Sequence, residues 1–261
     1  MPIGKMILRS AVLLVVLIVL GMVVLYLIAS AEPAAYHPAR WLTQDQRVNV
    51  VAKRFLRHVV MEFTNNAQVN KPFQLEANTV ELNEYLASMD EIAASLPSGV
   101  PGDVNKSMDS LGLSDPAVAL GDGVLTMMFL AKGYNKVVSA DVTFHFTEQK
   151  AVQVRLDGTR VGRLPIPGGI VRGQLDRLKE KLQAHLERIQ ASGQRPPSRP
   201  TGGRFSTDDM ALLLSTLIAA IDEEPIPAVI PKWRVRIDDI RIADDRVVLR
   251  FVPYGRENPR D

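Results

Sequence analysis

The stretch VLTMMFLAKGYNKVVSADVTFHFTEQKAVQVRLD, residues 124–157, decides the fold. In its middle Val138, Ala140, Val142, Phe144 and Phe146 alternate with Ser139, Asp141, Thr143, His145 and Thr147. A period of two puts one set on each face of a strand, which predicts a sheet with an apolar side and a wet side. After a turn at 148–150, Val152, Val154 and Leu156 repeat the alternation against Gln153, Arg155 and Asp157, while 132–135 forms the turn on the other side. An antiparallel meander follows. Its first strand is different, because Leu125, Met127 and Phe129 on one face meet Thr126, Met128 and Leu130 on the other, leaving almost no polar side. Both faces need cover. Neighbouring methionines fill irregular cores and also line surfaces that accept variable apolar partners, so this strand reads as core or as ligand surface.

Downstream, RVGRLPIPGGIV (160–171) closes the sheet and opens a helix. Val171, Leu175, Leu178, Leu182, Leu186 and Ile189 form its apolar stripe, and Arg177, Lys179, Glu180, Lys181, Glu187 and Arg188 crowd the other side, the pattern of a helix lying on a sheet. Residues 193–204 have the Pro/Gly composition of a linker. Ser206 with Asp208 and Asp209 then caps a helix that is apolar nearly all round, including Leu213, Leu214, Leu217 and Ile218; it must be enclosed by the sheet or lie against lipid. The chain finishes with a hairpin, 233–242 and 246–252, in which the apolar phase slips at Asp238-Asp239 and predicts a β-bulge.

Upstream, Thr43 and Gln46 form a capping-box pattern that opens an amphipathic helix through Val48, Val51, Phe55, Val59 and Phe63, ending near Asn65-Asn66. Phe73 to Leu75 reads as extended, and Asn78 with Glu81 caps a second helix through Leu82, Tyr85, Leu86 and Met89. Residues 97–115, rich in Pro, Gly, Ser and Asp, read as a long loop with a possible turn at Lys106 to Leu111. Helices segregated from an antiparallel sheet define the α+β class.

At the N-terminus AVLLVVLIVLGMVVLYLIA, Ala11 to Ala29, has no charge and no proline and approaches the roughly 20 apolar residues that cross a bilayer core of about 30 Å. Lys5 and Arg9 precede it and Glu32 follows, so the positive-inside bias keeps the N-terminus cytoplasmic and exports the rest of the chain. The expectation is a single-pass inner-membrane anchor over 1–31, a tether over 32–42, and an extracytoplasmic region from 43 to 192 that 205–261 completes. A cleaved signal stays open, because Ala29-Ser30-Ala31 is a small-x-small site.

Hydrophobic content of 46% excludes a disordered chain, and a net charge of +2 excludes a dedicated nucleic-acid binder. Cysteine is absent, which removes disulfides, zinc–thiolate sites and thiol nucleophiles together. His37, His58, His145 and His185 show no metal-ligand spacing. No nucleophile elbow, P-loop, dinucleotide fingerprint or zinc-protease motif occurs. Asp238, Asp239, Asp244 and Asp245 lack the alternation and distal glutamate of a calcium loop and fit turn and bulge chemistry. The expectation is a non-enzyme without metal or cofactor.

FQLEANTVELNEYL (73–86), the meander leading to RVGRLPIPGGIV, and the final RIDDIRIADDRVVLRF (236–251) together resemble the YpmS-like family of membrane-anchored bacterial proteins. More loosely, they resemble envelope proteins built like lipid-binding tubular domains. The resemblance implies a curved antiparallel sheet wrapping a helix and a role in binding lipid; it supplies no catalytic residues. The expected site is an apolar groove of Leu125, Met127, Met128, Phe129, Leu213, Leu214, Leu217 and Ile218. Its partners would be the bilayer through Ala11 to Ala29 and a lipid or lipid-linked ligand. The alternative is a structural or interaction module with an envelope protein partner.

Overall fold

The computed structural model describes residues 3–95, 105, 108–109, 112–148, 150–191, 215, 218–219, 221–230 and 233–254. At 3–16 and at 171, 174, 178, 181–182, 185–186 and 188–191 it describes the backbone alone. The fold is α+β with antiparallel sheets. Helix α1 (Ile3–Ser30) leads into a helical run, α2 (residues 44–69), then β1 (Phe73–Asn78), α3 (Thr79–Ala87) and α4 (Met89–Ser95). Strands β2 (Leu113–Gly121), β3 (Val124–Ala131), β4 (Lys136–Phe146), β5 (Ala151–Val161) and β6 (Leu164–Pro165) follow, then helix α5 (Gly168–Ala191). The short β7 (Ile226–Pro227) and β8 (Val229–Ile230) precede the hairpin β9 (Val235–Ala243) and β10 (Arg246–Pro253).

Where one curved sheet was expected, two form. A four-stranded sheet has the order β1-β10-β9-β8, and a six-stranded sheet has β2-β3-β4-β5-β6 with β7 also paired to β5. Alternation along a strand encodes its faces but not its partners, so the split was not readable from the periodicity. The bulge falls in the expected place: Arg250 pairs Asp239 and Phe251 pairs Ile237, leaving Asp238 as the extra residue.

Both capping boxes form. Thr43 accepts from the Gln46 N–H and Asn78 from the Glu81 N–H, each reciprocated onto the cap's own backbone. In α2 the segments Arg47–Ala52 and Leu56–Met61 are π-helical, so the run continues to Val69 and ends on Asn70 in the left-handed region. A π-turn holds more residues than the α-turn's 3.6, which keeps 51, 55, 59, 63 and 67, spaced strictly by four, on one line. Val51 and Ala67 on that line are buried, whereas Val48, expected in the stripe, is exposed.

Two clusters stand out in the described core, beside further buried residues such as Val51, Val118, Leu120 and Val152. Under the four-stranded sheet Ala67, Val235 and Phe251 are buried, with Phe63, Phe73 and Trp233 packed against them. Under the six-stranded sheet Tyr36, Ala117, Met128 and Val137 are buried. Residues 32–42, expected as a tether, are thus built into the domain: Tyr36 and Ala39 are 6% and 1% exposed, and the Tyr36 hydroxyl donates to the Asp115 carbonyl at 2.9 Å. Residues 113–115, expected as loop, begin strand β2, whose register shifts between Ser114 and Ala117 around Pro116.

The linker at 193–204 lies outside the described residues. So does most of the helix expected at 206–221, of which Ser215, Ile218, Ala219 and Ile221 are described, all helical. Helix α1 spans 28 residues, and its large apolar side chains from Leu17 to Ile28 are exposed. Among the described residues no helix is long and apolar enough to cross a membrane; in α1 the described side chains begin at Leu17. The structure therefore adds a long helix, and not a span, to the reading of Ala11 to Ala29.

Candidate functional site

The six-stranded sheet has two unlike faces. Strand pairing sets Leu125 opposite Val142, Met127 opposite Ala140 and Phe129 opposite Val138, and on the next strand Leu156 and Val161 join the same side. Every one of these residues is half-buried and none is fully enclosed. The same face also carries Val118 and Leu120, opposite Met127 and Leu125, and Val152 further along β5, all three buried, so the half-buried residues form an apolar patch at its centre between closed margins.

The opposite face carries Met128, Val137 and Ser139, which are 0%, 3% and 2% exposed and are closed over by Tyr36 and Ala117. Toward the far end of the sheet this face turns polar: Asp141 accepts from Thr126 Oγ1 at 2.8 Å and from Arg160, and Thr143 donates to Asp157 at 2.6 Å. Met128 therefore belongs to the core and not to a groove with Met127, because alternation sends adjacent residues to opposite faces. Of the expected groove residues, the structure groups Leu125, Met127 and Phe129. Ile218 is half-buried, and Leu213, Leu214 and Leu217 lie outside the described residues.

Three features had little signal in the sequence. Asn83, 2% exposed on α3, donates from Nδ2 to the Val118 carbonyl at 3.0 Å and accepts from the Val118 N–H at 2.7 Å. Its amide thereby pairs the outer edge of β2 as a further strand would, which removes a sticky edge. Asn83 stands among Thr79, Glu81 and Glu84 on that helix, so no local contrast marks it.

Tyr36 is the second. Burial first, and the Asp115 carboxylate next, push its phenol up to about 12, against a lowering by Arg40, which itself donates to Asp115 at 2.7 Å.

The third is the mounting of α1. Its last turn meets the β5–β6 turn, where the Arg163 N–H donates to the Ile28 carbonyl at 3.1 Å and Arg163 Nε to the Glu32 carbonyl at 3.3 Å. Gly162, at φ +57°, approaches so closely that a Cβ there would overlap the carbonyl oxygens of Ala29 and Ala31. Lys136 Nζ donates to the Ser30 hydroxyl and lies 4.6 Å from the centre of the Tyr26 ring. Orphan carbonyls and the negative end of the helix dipole are thus met by one backbone N–H and two cations.

A shallow pocket of about 210 Å³ lies elsewhere, between residues 38–47, the end of α3 and the start of β2, edged by Arg40, Arg47, Asp109 and Asp115. Its charged rim and small volume do not suit an acyl chain, and it shares no residue with the apolar face. Among the described residues no group of three or more His, Asp or Glu side chains could hold a metal ion. His145 is exposed, with Nε2 3.3 Å from Thr143 Oγ1. Comparisons with protein-family models, curated proteins and solved structures found no match.

Proposed function

We propose that this is a single-pass membrane protein whose α+β domain stands on the extracytoplasmic side of the inner membrane. The domain binds an apolar ligand, a lipid or lipid-linked molecule, against the apolar face of its six-stranded sheet. The observation that carries the reading is the patch at the centre of that face: Leu125, Met127, Phe129, Val138, Val142 and Leu156 are each only partly buried, between the buried Val118 and Leu120 on one side and Val152 on the other. Binding sites for such ligands are mostly apolar with few polar groups. Supporting it, α1 carries an uncharged run over Ala11 to Ala29, exposes apolar side chains from Leu17 onward, and is fastened at its end to the same sheet. The arrangement needs no catalytic group, and the resemblance to YpmS-like proteins agrees with it. Native mass spectrometry of the full chain, released gently from its membrane, is expected to show added masses in the lipid range that diminish with Phe129→Asp. A bare mass under several mild release conditions overturns the reading.

A second reading, an interaction module of an envelope assembly, is favoured by the buried Val118, Leu120 and Val152 at the margins of the same face, which leave its centre a surface patch. In that case the apolar face receives a protein. Cross-linking from a photoreactive group at position 129 in intact membranes separates the two: a lipid adduct supports the first reading and a discrete protein adduct the second.

A further inference from the structure

We infer that the end of the six-stranded sheet where α1 enters is a second membrane contact. In it the β3–β4 turn seats Tyr134 among lipid headgroups, while Lys136 and Arg163 face the lipid phosphates. The inference rests on reading α1 as a membrane anchor and adds where the domain itself touches the bilayer.

The register fixes the geometry. Val138 pairs with Val161, so the turn at 132–135 and the turn at 162–163 lie at the same end of the sheet. Both turns are fastened to the last turn of α1, through Arg163 N–H to the Ile28 carbonyl, through the close approach of Gly162 to Ala29, and through Lys136 to Ser30 and Tyr26. At 1.5 Å per residue, Tyr26 lies about 6 Å back along the helix from Ser30. Lys136, within reach of both Ser30 and the Tyr26 ring, therefore lies at the depth of this last turn, and Tyr134 is two residues away on the adjoining β3–β4 turn. The sheet end cannot stand clear of a surface from which α1 emerges near Tyr26.

The chemistry fits that depth. Tyrosine concentrates at the membrane interface because its ring is apolar and its tip is polar, and long cations place their stems in the apolar layer with their charges at the phosphates. Tyr134 is 82% exposed and Tyr26 65%, exposure that suits an interface better than water. Charge agrees. Lys132 at this end is paired with Asp109 at 2.7 Å, and Arg160 is paired with Asp141. Lys136 and Arg163 have no carboxylate partner among the described residues, and the facing acid is the exposed Glu32, whose backbone carbonyl, not its carboxylate, meets Arg163. Two such cations attract an anionic lipid surface, each by roughly 1 kcal/mol, about fivefold in local lipid preference.

The absence of cysteine makes the test direct. Single variants Leu20→Cys, Tyr134→Cys and Glu148→Cys of the full chain are spin-labelled in phosphatidylcholine vesicles with and without phosphatidylglycerol. Collision rates with oxygen and with a water-soluble nickel chelate report the depth of each label. The expected result is acyl-chain depth at 20, interfacial depth at 134 and aqueous exposure at 148, on the β4–β5 turn at the far end of the sheet. Phosphatidylglycerol should restrict the label at 134 further, and Arg163→Gln should weaken that response about fivefold. A label at 134 as aqueous as the one at 148, with the label at 20 in the acyl chains, overturns the inference and leaves the anchor standing. A label at 20 that is itself aqueous overturns both.

Discussion

The two sheets treat their apolar residues differently. Under the four-stranded sheet Phe73 stacks on Phe251 with ring centres 5.0 Å apart, and Phe63 meets Phe73, Trp233 and Phe251 edge-on at 5.7, 6.0 and 5.3 Å. Val235 beside them is wholly buried. On one face of the six-stranded sheet Val118, Leu120 and Val152 are buried at the margins, while Leu125, Met127, Phe129, Val138 and Val142 between them are only partly so. An aromatic cluster anchored on the buried Phe251 and Val235 is a stability element, and an apolar patch with no buried member of its own keeps surface available for binding.

The sharpest way to break that contrast is to truncate one aromatic in each sheet. Phe251→Ala is expected to cost about 3–5 kcal/mol, the usual loss for a fully buried Phe. Phe129→Ala, half-buried, should cost roughly half as much. Denaturant unfolding of the full chain in mild detergent measures both. Equal losses would mean that the face of Phe129 is ordinary core and has no vacancy for a ligand.

Next in size is the edge of the six-stranded sheet. Asn83→Ala leaves the N–H and carbonyl of Val118 buried without partners, at about 1–3 kcal/mol for each group. Hydrogen exchange at the Val118 amide should accelerate well beyond the exchange of β4. Unchanged protection there would show that the Asn83 amide does not hold the edge.

Smaller again is the seat of α1. Gly162→Ala places a Cβ against the Ala29 and Ala31 carbonyls in a left-handed backbone, which costs roughly 1–3 kcal/mol. The strain falls where α1 meets the sheet, so protease access at residues 30–36 should rise while the aromatic cluster under the four-stranded sheet keeps its near-ultraviolet signal. Coincident loss of both would mean that the two sheets unfold as one unit.

Much of this was legible in the chain, and the reasons for the remainder are physical. The alternation over Val138 to Phe146 carries its own period, so β4 and its neighbours could be read directly, and so could the two capping boxes and the slip at Asp238. Strand β2 could not, because Pro116 and the shifted register interrupt any period of two. Residues 32–42 could not either: Tyr36 and Ala39 act as single anchors, and isolated anchors have no period. The candidate site was legible as two apolar faces of one strand, Met127 against Met128. Which face would be closed depended on where Tyr36 returns to the sheet, a contact spanning 79 residues between Tyr36 and Asp115 that no local pattern announces.

The smallest expected effect concerns that same tyrosine. Tyr36 holds its proton more tightly in the folded chain, its phenol pushed up from 10.0 to about 12 by burial and by Asp115. Between those values the folded state binds more protons than the unfolded state, so stability falls as pH rises. The contribution is complete below pH 10 and is lost as pH climbs through about 12. Tyr85 is also raised by burial and acts in the same direction, so the informative quantity is the difference between the native chain and Tyr36→Phe across this window. At neutral pH the variant should lose about 1 kcal/mol with its hydrogen bond to the Asp115 carbonyl. By pH 12 that gap should close and reverse, because the unfolded phenol ionises near 10 while the folded one still holds its proton, a loss that Phe does not share. Parallel unfolding curves from pH 9 to 12 would place Tyr36 in water when folded, and the segment joining α1 to the sheet would then be a tether after all.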